Sequence, residues 1–348
     1  MTEFFCCTHC FNDINLQKFI ESISEGKITG ECYFCKSTQK TCIEPSLLIE
    51  KFEFLVNSFD EDDNGQHLST LLNNYFAIFN ENINQIEFLL EKILGETYQD
   101  KKYKFKFDNL YYTTQWAQFK DEIKYENRFF PLNSMYSSVF DKNNEESIFF
   151  ELLEQLTKKF DNTTLFYRAR VSETELEKKD MGAPPKGASS AGRANPVGIS
   201  YLYLANNLIT CISEVRPNNA SSVYVSEFKV KSNHVKVLDL TNPKKDTSIM
   251  AFEEDSLELA SSYLELLEIL SRELSEPILP NNSTLDYIPT QLLCEYIKSV
   301  GKYDGIAFNS SFNNGINYVF YEPDKFDIAR PKEYKINQIN YAYNEIKP

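Results

Sequence analysis

Residues 7–35 carry two C-x2-C pairs, C-T-H-C and C-Y-F-C, separated by 21 residues. Two such pairs at this separation are a strong zinc signal, because each knuckle holds two thiolates about 3.5–4 Å apart on a tetrahedral ion. Cys7, Cys10, Cys32 and Cys35 are therefore the expected ligands of a structural Zn2+. Four thiolates close the coordination sphere and leave no position for chemistry. Cys6, His9 and Cys42 are near enough to substitute, with His9 expected to point to solvent or to lie behind the ligands. Gly30 suits a tight turn before the second pair. The apolar spacing of Ile14, Leu16, Phe19, Ile20 and Ile23 predicts a short helix between the knuckles.

Six of the eight cysteines lie within residues 6–42, and the start M-T-E-F-F-C-C has no charged segment followed by an apolar one. Disulfides are not expected in such a chain. No apolar run approaches the roughly 20 residues that span a bilayer. The expectation is a cytoplasmic protein with no membrane partner. With 36 basic against 51 acidic residues the net charge is −15, which argues against general nucleic-acid binding.

From Pro45 to about residue 160 several segments show helical spacing: S-L-L-I-E-K-F-E-F-L-V, L-S-T-L-L-N-N-Y-F-A-I-F, I-N-Q-I-E-F-L-L-E-K-I-L and E-E-S-I-F-F-E-L-L-E-Q-L-T-K-K-F. The stretch D-E-D-D-N-G at residues 60–65 reads as an acidic turn without the ligand spacing of a calcium loop. A helical nuclease with an Arg-x4-6-His pair is excluded here. Arg128 is the only arginine before residue 168, and the next histidine after it is His234. The helices read as a regulatory or interaction domain.

After residue 165 the texture changes to short β-type runs, interrupted by a helical stretch at residues 254–274. The pattern is α+β rather than the βαβ alternation of a parallel sheet. Four of the 11 glycines fall within residues 182–198, and four of the seven arginines (Arg168, Arg170, Arg193, Arg216) within a 49-residue window. The loop M-G-A-P-P-K-G-A-S-S-A-G-R-A-N-P-V-G lies between two strand signals, which favours a lid over a linker. It has neither a Walker A pattern nor a dinucleotide fingerprint.

The ordered blocks Y-R (167–168), G-R-A-N-P-V-G-I-S-Y-L-Y-L-A (192–205), S-E (213–214), Y-D-G-I-A-F-N-S-S (303–311) and N-G-I-N (314–317) resemble the RES domain. The resemblance extends to longer members with a zinc-knuckle and helical, HEPN-like front half. It implies an α+β fold in which a mixed β catalytic domain resembling ADP-ribosyltransferase toxins is preceded by a small zinc module and a mainly α-helical domain. The expected domains are residues 1–45, 46–160 and 161–348. It also implies an NAD-degrading toxin or defence effector. The activity would be NAD phosphorylase, with inorganic phosphate as co-substrate and nicotinamide and ADP-ribose 1″-phosphate as products. Alternatives are a mono-ADP-ribosyltransferase acting on a protein, or an inactive zinc-bearing interaction protein. An antitoxin or regulatory protein is the implied partner, and oligomerisation stays open.

Carried onto this sequence, the implied functional positions are Arg168, Arg193, Tyr203, Glu214 and Ser310. Expelling nicotinamide builds positive charge on the ribose, and a carboxylate such as Glu214 stabilises it. Arg168 and Arg193 offer guanidinium forks to phosphate oxygens. Arg170 shares a strand face with Arg168 and is the competing choice, while Arg216 reads as a partner for a carboxylate. Tyr203, with Tyr201 on the same strand face, offers an aromatic ring for stacking. Glu214, Tyr203 and Arg168 are thus the expected catalytic residues, and Arg193, Ser310 (or Ser311), Asn195 and Asn317 the expected substrate-binding ones.

Overall fold

Phe166, Leu202, Leu204, Phe228, Val237 and Phe320 are all buried, and each sits in a short β-type run. Such runs hide their apolar face only by pairing into a sheet. The computed structural model describes residues 4–24, 28–38, 40–95, 98, 101–107, 110–140, 147–231, 234–276 and 284–339. The helices are α1 (Ile14–Ile23), α2 (Ile49–Val56), α3 (Leu68–Phe76), α4 (Ile86–Leu94), α5 (Leu110–Asp121), α6 (Ser134–Val139), α7 (Ile148–Gln155), α8 (Leu208–Glu214), α9 (Pro243–Asp246), α10 (Leu257–Ser275) and α11 (Ile288–Val300). The strands are β1 (Cys6–Cys7), β2 (Ile28–Gly30), β3 (Lys40–Ile43), β4 (Phe59–Gln66), β5 (Tyr103–Phe105), β6 (Thr157–Phe160), β7 (Leu165–Val171), β8 (Leu202–Ala205), β9 (Ser222–Val230), β10 (Val235–Asp239), β11 (Gly305–Asn309), β12 (Ile316–Phe320), β13 (Phe326–Ile328) and β14 (Lys332–Lys335). The fold is α+β. No helix among the described residues is long and apolar enough to cross a membrane.

The chain divides into two compact units. The first comprises Met1–Phe119, Pro131–Leu156 and Asn242–Ile269; the second comprises Lys120–Phe130, Thr157–Thr241 and Leu270–Pro348. In the first unit the cysteine region forms a small sheet in the order β1-β3-β2. It is stitched to the helices by Asn12, whose side-chain amide donates to the carbonyls of Ala77 and Phe79. Helix α1 lies where its spacing predicts it. It starts at Asp13, which is buried and accepts from the amides of Asn15 and Leu16 and from the Ser248 hydroxyl. That arrangement satisfies first-turn donors with a carboxylate at the positive end of the helix.

Two local readings change. The acidic stretch at residues 60–65 lies within β4: Asp60 and Glu61 pair β5 in the register Asp60↔Lys104, and residues 62–65 bulge out before Gln66 returns opposite Tyr103. Lysines on and beside β5 neutralise it: Lys104 pairs with Asp62 at 3.2 Å and Lys101 with Glu61 at 2.5 Å. The last four residues of the fourth helical segment, T-K-K-F, form β6 instead. They add to β10 antiparallel, with Val235 opposite Phe160.

In the second unit the sheet runs β13-β9-β7-β8-β12-β11-β10-β6, with β14 also pairing β9. The β10–β11 pair is parallel and the other pairings antiparallel. One face packs Phe166, Met181, Leu202, Leu204, Phe228 and Phe320 together. On the other, Ala169, Ala205, Val223 and Val225 receive α8 through its buried Cys211. Strand β7 pairs β9 along its whole length but meets β8 only at Tyr167↔Ala205. A cleft lies at this weakly paired seam.

Candidate active site

A cleft of about 650 Å3 opens at the seam, lined by β7 and β8 residues together with Arg193, Glu214, Arg216, Tyr287 and Asn317. Small side chains, Ala169 and Ala205, leave the space that larger ones would fill. Glu214 is the last residue of α8. That helix starts at Asn207, whose side chain caps the Thr210 amide, and it buries Thr210 and Cys211 against the sheet. The loop after β11 is locked onto the same helix, since the Thr210 hydroxyl donates to Asn313 Oδ1 at 2.8 Å. Gly315 is required in that loop, because a Cβ there would run into the Thr210 side chain. The turn closes through the Ser310 amide and the Gly315 carbonyl, which brings Ser310 under the carboxylate.

Glu214 Oε1 accepts from Ser310 Oγ at 2.7 Å and from Asn317 Nδ2 at 2.6 Å. Oε2 has no protein partner among the described residues. One oxygen is thus fixed by two donors to a charged acceptor, the stronger kind of hydrogen bond, and the other is left for a ligand. Three of the expected residues converge here, although they come from three different elements.

Arg168 donates to the Tyr203 carbonyl at 3.4 Å. Burial, and secondarily repulsion from Arg170, lowers its pKa to about 10, so it stays charged at neutral pH. Arg170 turns away and donates to the Gly182 carbonyl at 2.9 Å; the cleft takes Arg168 alone of the pair. Arg193 is pinned by the carbonyls of Leu274 and Ser275, the last residues of α10, at 2.9 and 3.2 Å. Burial lowers its pKa as well, opposed by the nearby charge of Glu214.

Tyr203 lines the cleft, and its hydroxyl donates to Asn195 Oδ1 at 2.7 Å while accepting from the Ala194 amide at 3.2 Å. Burial pushes its phenol up from the ordinary value, so it remains neutral. Tyr201 goes elsewhere, packing edge-on against Tyr321 with centroids 5.1 Å apart.

The glycine-rich loop is neither linker nor open lid. Its backbone is bonded to itself (Gly187 to Gly198, Gly198 to Ser189, Gly192 to Asn195), with Gly187 and Gly198 at positive φ. Asn195 is 2% exposed and gives its amide to Ser189, Ser190, Pro196 and Ile199. Asn195, expected to bind substrate, is not among the residues that line the cleft, and its polar atoms organise the loop that presents Arg193. Ser310 likewise lies behind Glu214 rather than on the cleft surface, whereas Asn317 does line it. The Ser311 hydroxyl is buried without a partner. Arg216, expected to pair with a carboxylate, instead lies over the Phe312 ring at 5.1 Å.

Two residues of the block D-Y-I-P-T-Q-L-L-C-E-Y-I-K (286–298), which also resembles longer members of the family, support the site. Gln291 and Thr290, on α11, grip the loop backbone: Gln291 Nε2 donates to the carbonyls of Gly192 and Asn195, and Thr290 Oγ1 to that of Arg193. Their partners are backbone atoms almost a hundred positions away, so the block alone does not assign them this role.

In the first unit, one sulfur each of Cys7, Cys10, Cys32 and Cys35 lies within 4.8 Å of all the others. Cys7 and Cys35 are 3.5 Å apart, and Cys10 and Cys32 3.4 Å. A tetrahedral ion with metal–sulfur distances of about 2.3 Å needs sulfurs separated by about 3.8 Å, so the four residues fit Zn2+. Hydrogen bonding from Cys10 favours the Cys32 thiolate, and the same contact disfavours ionisation of Cys10. Gly30, at φ +114°, makes the turn before the second pair. Cys6 and Cys42 stay outside the cluster. His9 meets Ser37 Oγ at 3.5 Å, and that hydroxyl is 3.2 Å from Cys35 Sγ.

A scan against protein-family models matches the RES domain at residues 165–344, just over half of the chain. The chain belongs to the RES-domain family. Its RES domain coincides with the seam, the loop and the Glu214 triad just described. Among solved structures, the crystal structure of the M. tuberculosis MbcT–MbcA toxin–antitoxin complex is similar at 13% identity, covering 54% of this chain and 92% of that one with a TM-score of 0.30. Comparison with curated proteins gives no match.

Proposed function

We propose that the chain is an NAD-degrading enzyme of the toxin or defence type, cleaving the nicotinamide–ribose bond by phosphorolysis. The observation that carries this reading is Glu214, a carboxylate with one oxygen anchored by Ser310 and Asn317 and the other without a protein partner among the described residues. Nicotinamide leaves as a neutral molecule with the electron pair of the C–N bond, so no general acid is needed. The positive charge left on the ribose is what a fixed anion stabilises without reorganising. Arg168 and Arg193 supply the matching cations for the dinucleotide's diphosphate, in an otherwise acidic protein whose global field would repel it.

Tyr203, held neutral and oriented by Asn195, presents a ring on which a nicotinamide or a base stacks. Ser310 acts through Glu214, as a positioning residue. Family membership supports NAD as the substrate and an antitoxin or regulatory protein as the partner. The cysteine cluster of the first unit would hold a structural zinc, whose four thiolates leave no coordination position for chemistry.

Product identification tests the reading. Purified protein is incubated with NAD in phosphate and in phosphate-free buffer, and products are resolved by chromatography and mass spectrometry. Phosphate-dependent formation of nicotinamide and ADP-ribose 1″-phosphate is expected. Label transferred from NAD to protein without a phosphate requirement establishes a mono-ADP-ribosyltransferase instead. No loss of NAD, with none bound, leaves an interaction protein.

A further inference from the structure

Three guanidinium groups line the cleft, and the protein engages two of them. Arg168 donates to the Tyr203 carbonyl, and Arg193 to those of Leu274 and Ser275. The Arg216 guanidinium makes no hydrogen bond or ion pair among the described residues. It only lies over the Phe312 ring at 5.1 Å, a contact that uses the face of the fork and leaves its N–H edge open.

The backbone at Arg216 is also unusual. Helix α8 ends at Glu214 with Val215 as its cap, and Arg216 follows at φ +48°. This is the left-handed position after a helix, where glycine is preferred. An arginine there is strained, and residues held in such regions cluster at ligand sites. The strain projects a cation from the same turn that ends in Glu214. Seven of the 36 basic residues are arginine, so a lysine-rich chain places a fork, not an ammonium, at this point.

Resting on the reading of the cleft as an NAD-cleaving site, we propose that Arg216 binds the phosphate group that enters beside Glu214, namely inorganic phosphate as the attacking nucleophile. In that step a phosphate oxygen forms the bond to the ribose anomeric carbon as the C–N bond breaks. Nicotinamide takes the electron pair of that bond, and phosphate supplies the pair for the new one. Hydrogenphosphate needs to give up no proton for this, so Arg216 acts as an anion ligand and not as an acid or base. The dinucleotide's diphosphate presents the same chemistry, and its assignment to Arg168 and Arg193 leaves Arg216 for the second anion.

The test uses the full chain with NAD and orthophosphate varied independently, in Arg216→Gln, Arg216→Lys and Arg216→Gly. Glycine is included because it relieves the positive φ and keeps the fold while removing the cation. The expected result is a rise of about tenfold or more in the KM for phosphate, with the KM for NAD within about twofold, and partial recovery in Arg216→Lys. A rise in the KM for NAD alone moves Arg216 to the diphosphate and overturns the assignment, as does no change in either constant. Titration of inorganic phosphate followed by 31P NMR is read in parallel. Binding by the unsubstituted protein that is lost in Arg216→Gly supports the assignment, and equal binding by both overturns it. If NAD is not consumed at all, the functional reading fails while this binding comparison still decides the role of Arg216.

Discussion

Asn317 donates through Nδ2 to Oε1 of Glu214 at 2.6 Å, joining the second residue of β12 to the last residue of α8. Ser310 donates to the same oxygen from the opposite end of a tight turn. Two oriented donors fix the rotamer of the carboxylate and remove the freedom it would have as a helix-terminal glutamate. Replacing Asn317 by Ala leaves one donor. NAD turnover by Asn317→Ala and Ser310→Ala is expected to fall by about one to two orders of magnitude in kcat with little change in the KM for NAD, because an orientation is lost and not a substrate contact. Asn317→Asp is expected to be worse than Asn317→Ala, since two carboxylates then face each other. Equal activity in all three variants removes the positioning role.

The glycine at position 192 is dictated by its neighbours. A Cβ there would lie 2.5 Å from Asn195 Oδ1 and 2.8 Å from the Tyr203 hydroxyl, the two atoms that bond to each other. Gly192→Ala is expected to break that hydrogen bond and shift the ring of Tyr203. The cost is about 1–3 kcal/mol of stability from overpacking, together with a loss of activity larger than that of Tyr203→Phe, which removes the same bond without crowding the loop. Thermal unfolding and NAD turnover of the two variants, measured side by side, decide it. If Tyr203→Phe is the more damaged, the hydroxyl itself contacts the substrate.

The cysteine cluster predicts a metal stoichiometry. Gently purified protein is expected to contain about one zinc per chain, and Cys32→Ser to abolish it with a loss of several kcal/mol from the first unit, because metal binding and folding are coupled in such sites. Cys42→Ser is the control: Cys42 is buried beside the cluster yet outside it, so metal content is expected to persist. Elemental analysis with thermal unfolding in the presence and absence of a chelator provides the measurement. Loss of zinc in Cys42→Ser but not in Cys32→Ser overturns the ligand assignment.

Where the signal was chemical and local, the sequence was informative. Four thiols in two knuckles announced a sulfur cluster, and the spaced blocks around Arg168, Arg193, Tyr203 and Glu214 mark residues that do line one cleft. Where the structure depends on pairing, the sequence misled. Asp60 to Gly65 have the composition of a turn, but the lysines on and beside β5 turn that charge into a cross-strand match. The residues T-K-K-F continue a helical pattern, yet β10 offers them a sheet edge. Asn195 was read as a ligand because amides bind substrates. Only the fold shows that four nearby acceptors take its donors. Gln291 lies in a block that resembles the family's longer members, but its role does not follow from the sequence, since its acceptors are carbonyls that any sequence would supply.

Arg168 is a cation that burial disfavours, and the consequence is opposite for stability and for activity. Its pKa is about 10 instead of 12.5, with burial as the main cause and Arg170 as the second. Below pH 10 the folded and unfolded chains both carry the charge, and the folded state bears the full penalty of enclosing it. Between about pH 10 and 12.5 the folded protein has released a proton that the unfolded chain retains, so this contribution to stability improves as pH rises. Arg168→Met is therefore expected to raise the midpoint of thermal unfolding at pH 7, while lowering NAD turnover by at least about a hundredfold. The gain in stability is expected to shrink when the pair is compared at pH 10.5. In the unsubstituted enzyme the KM for NAD is expected to climb over the same interval as the guanidinium loses its charge. Thermal unfolding of both proteins at the two pH values, with the KM followed from pH 8 to 10.5, makes the comparison. A destabilised Arg168→Met at pH 7 would show that the guanidinium holds β7 and β8 together at the seam and is not kept at the expense of the fold.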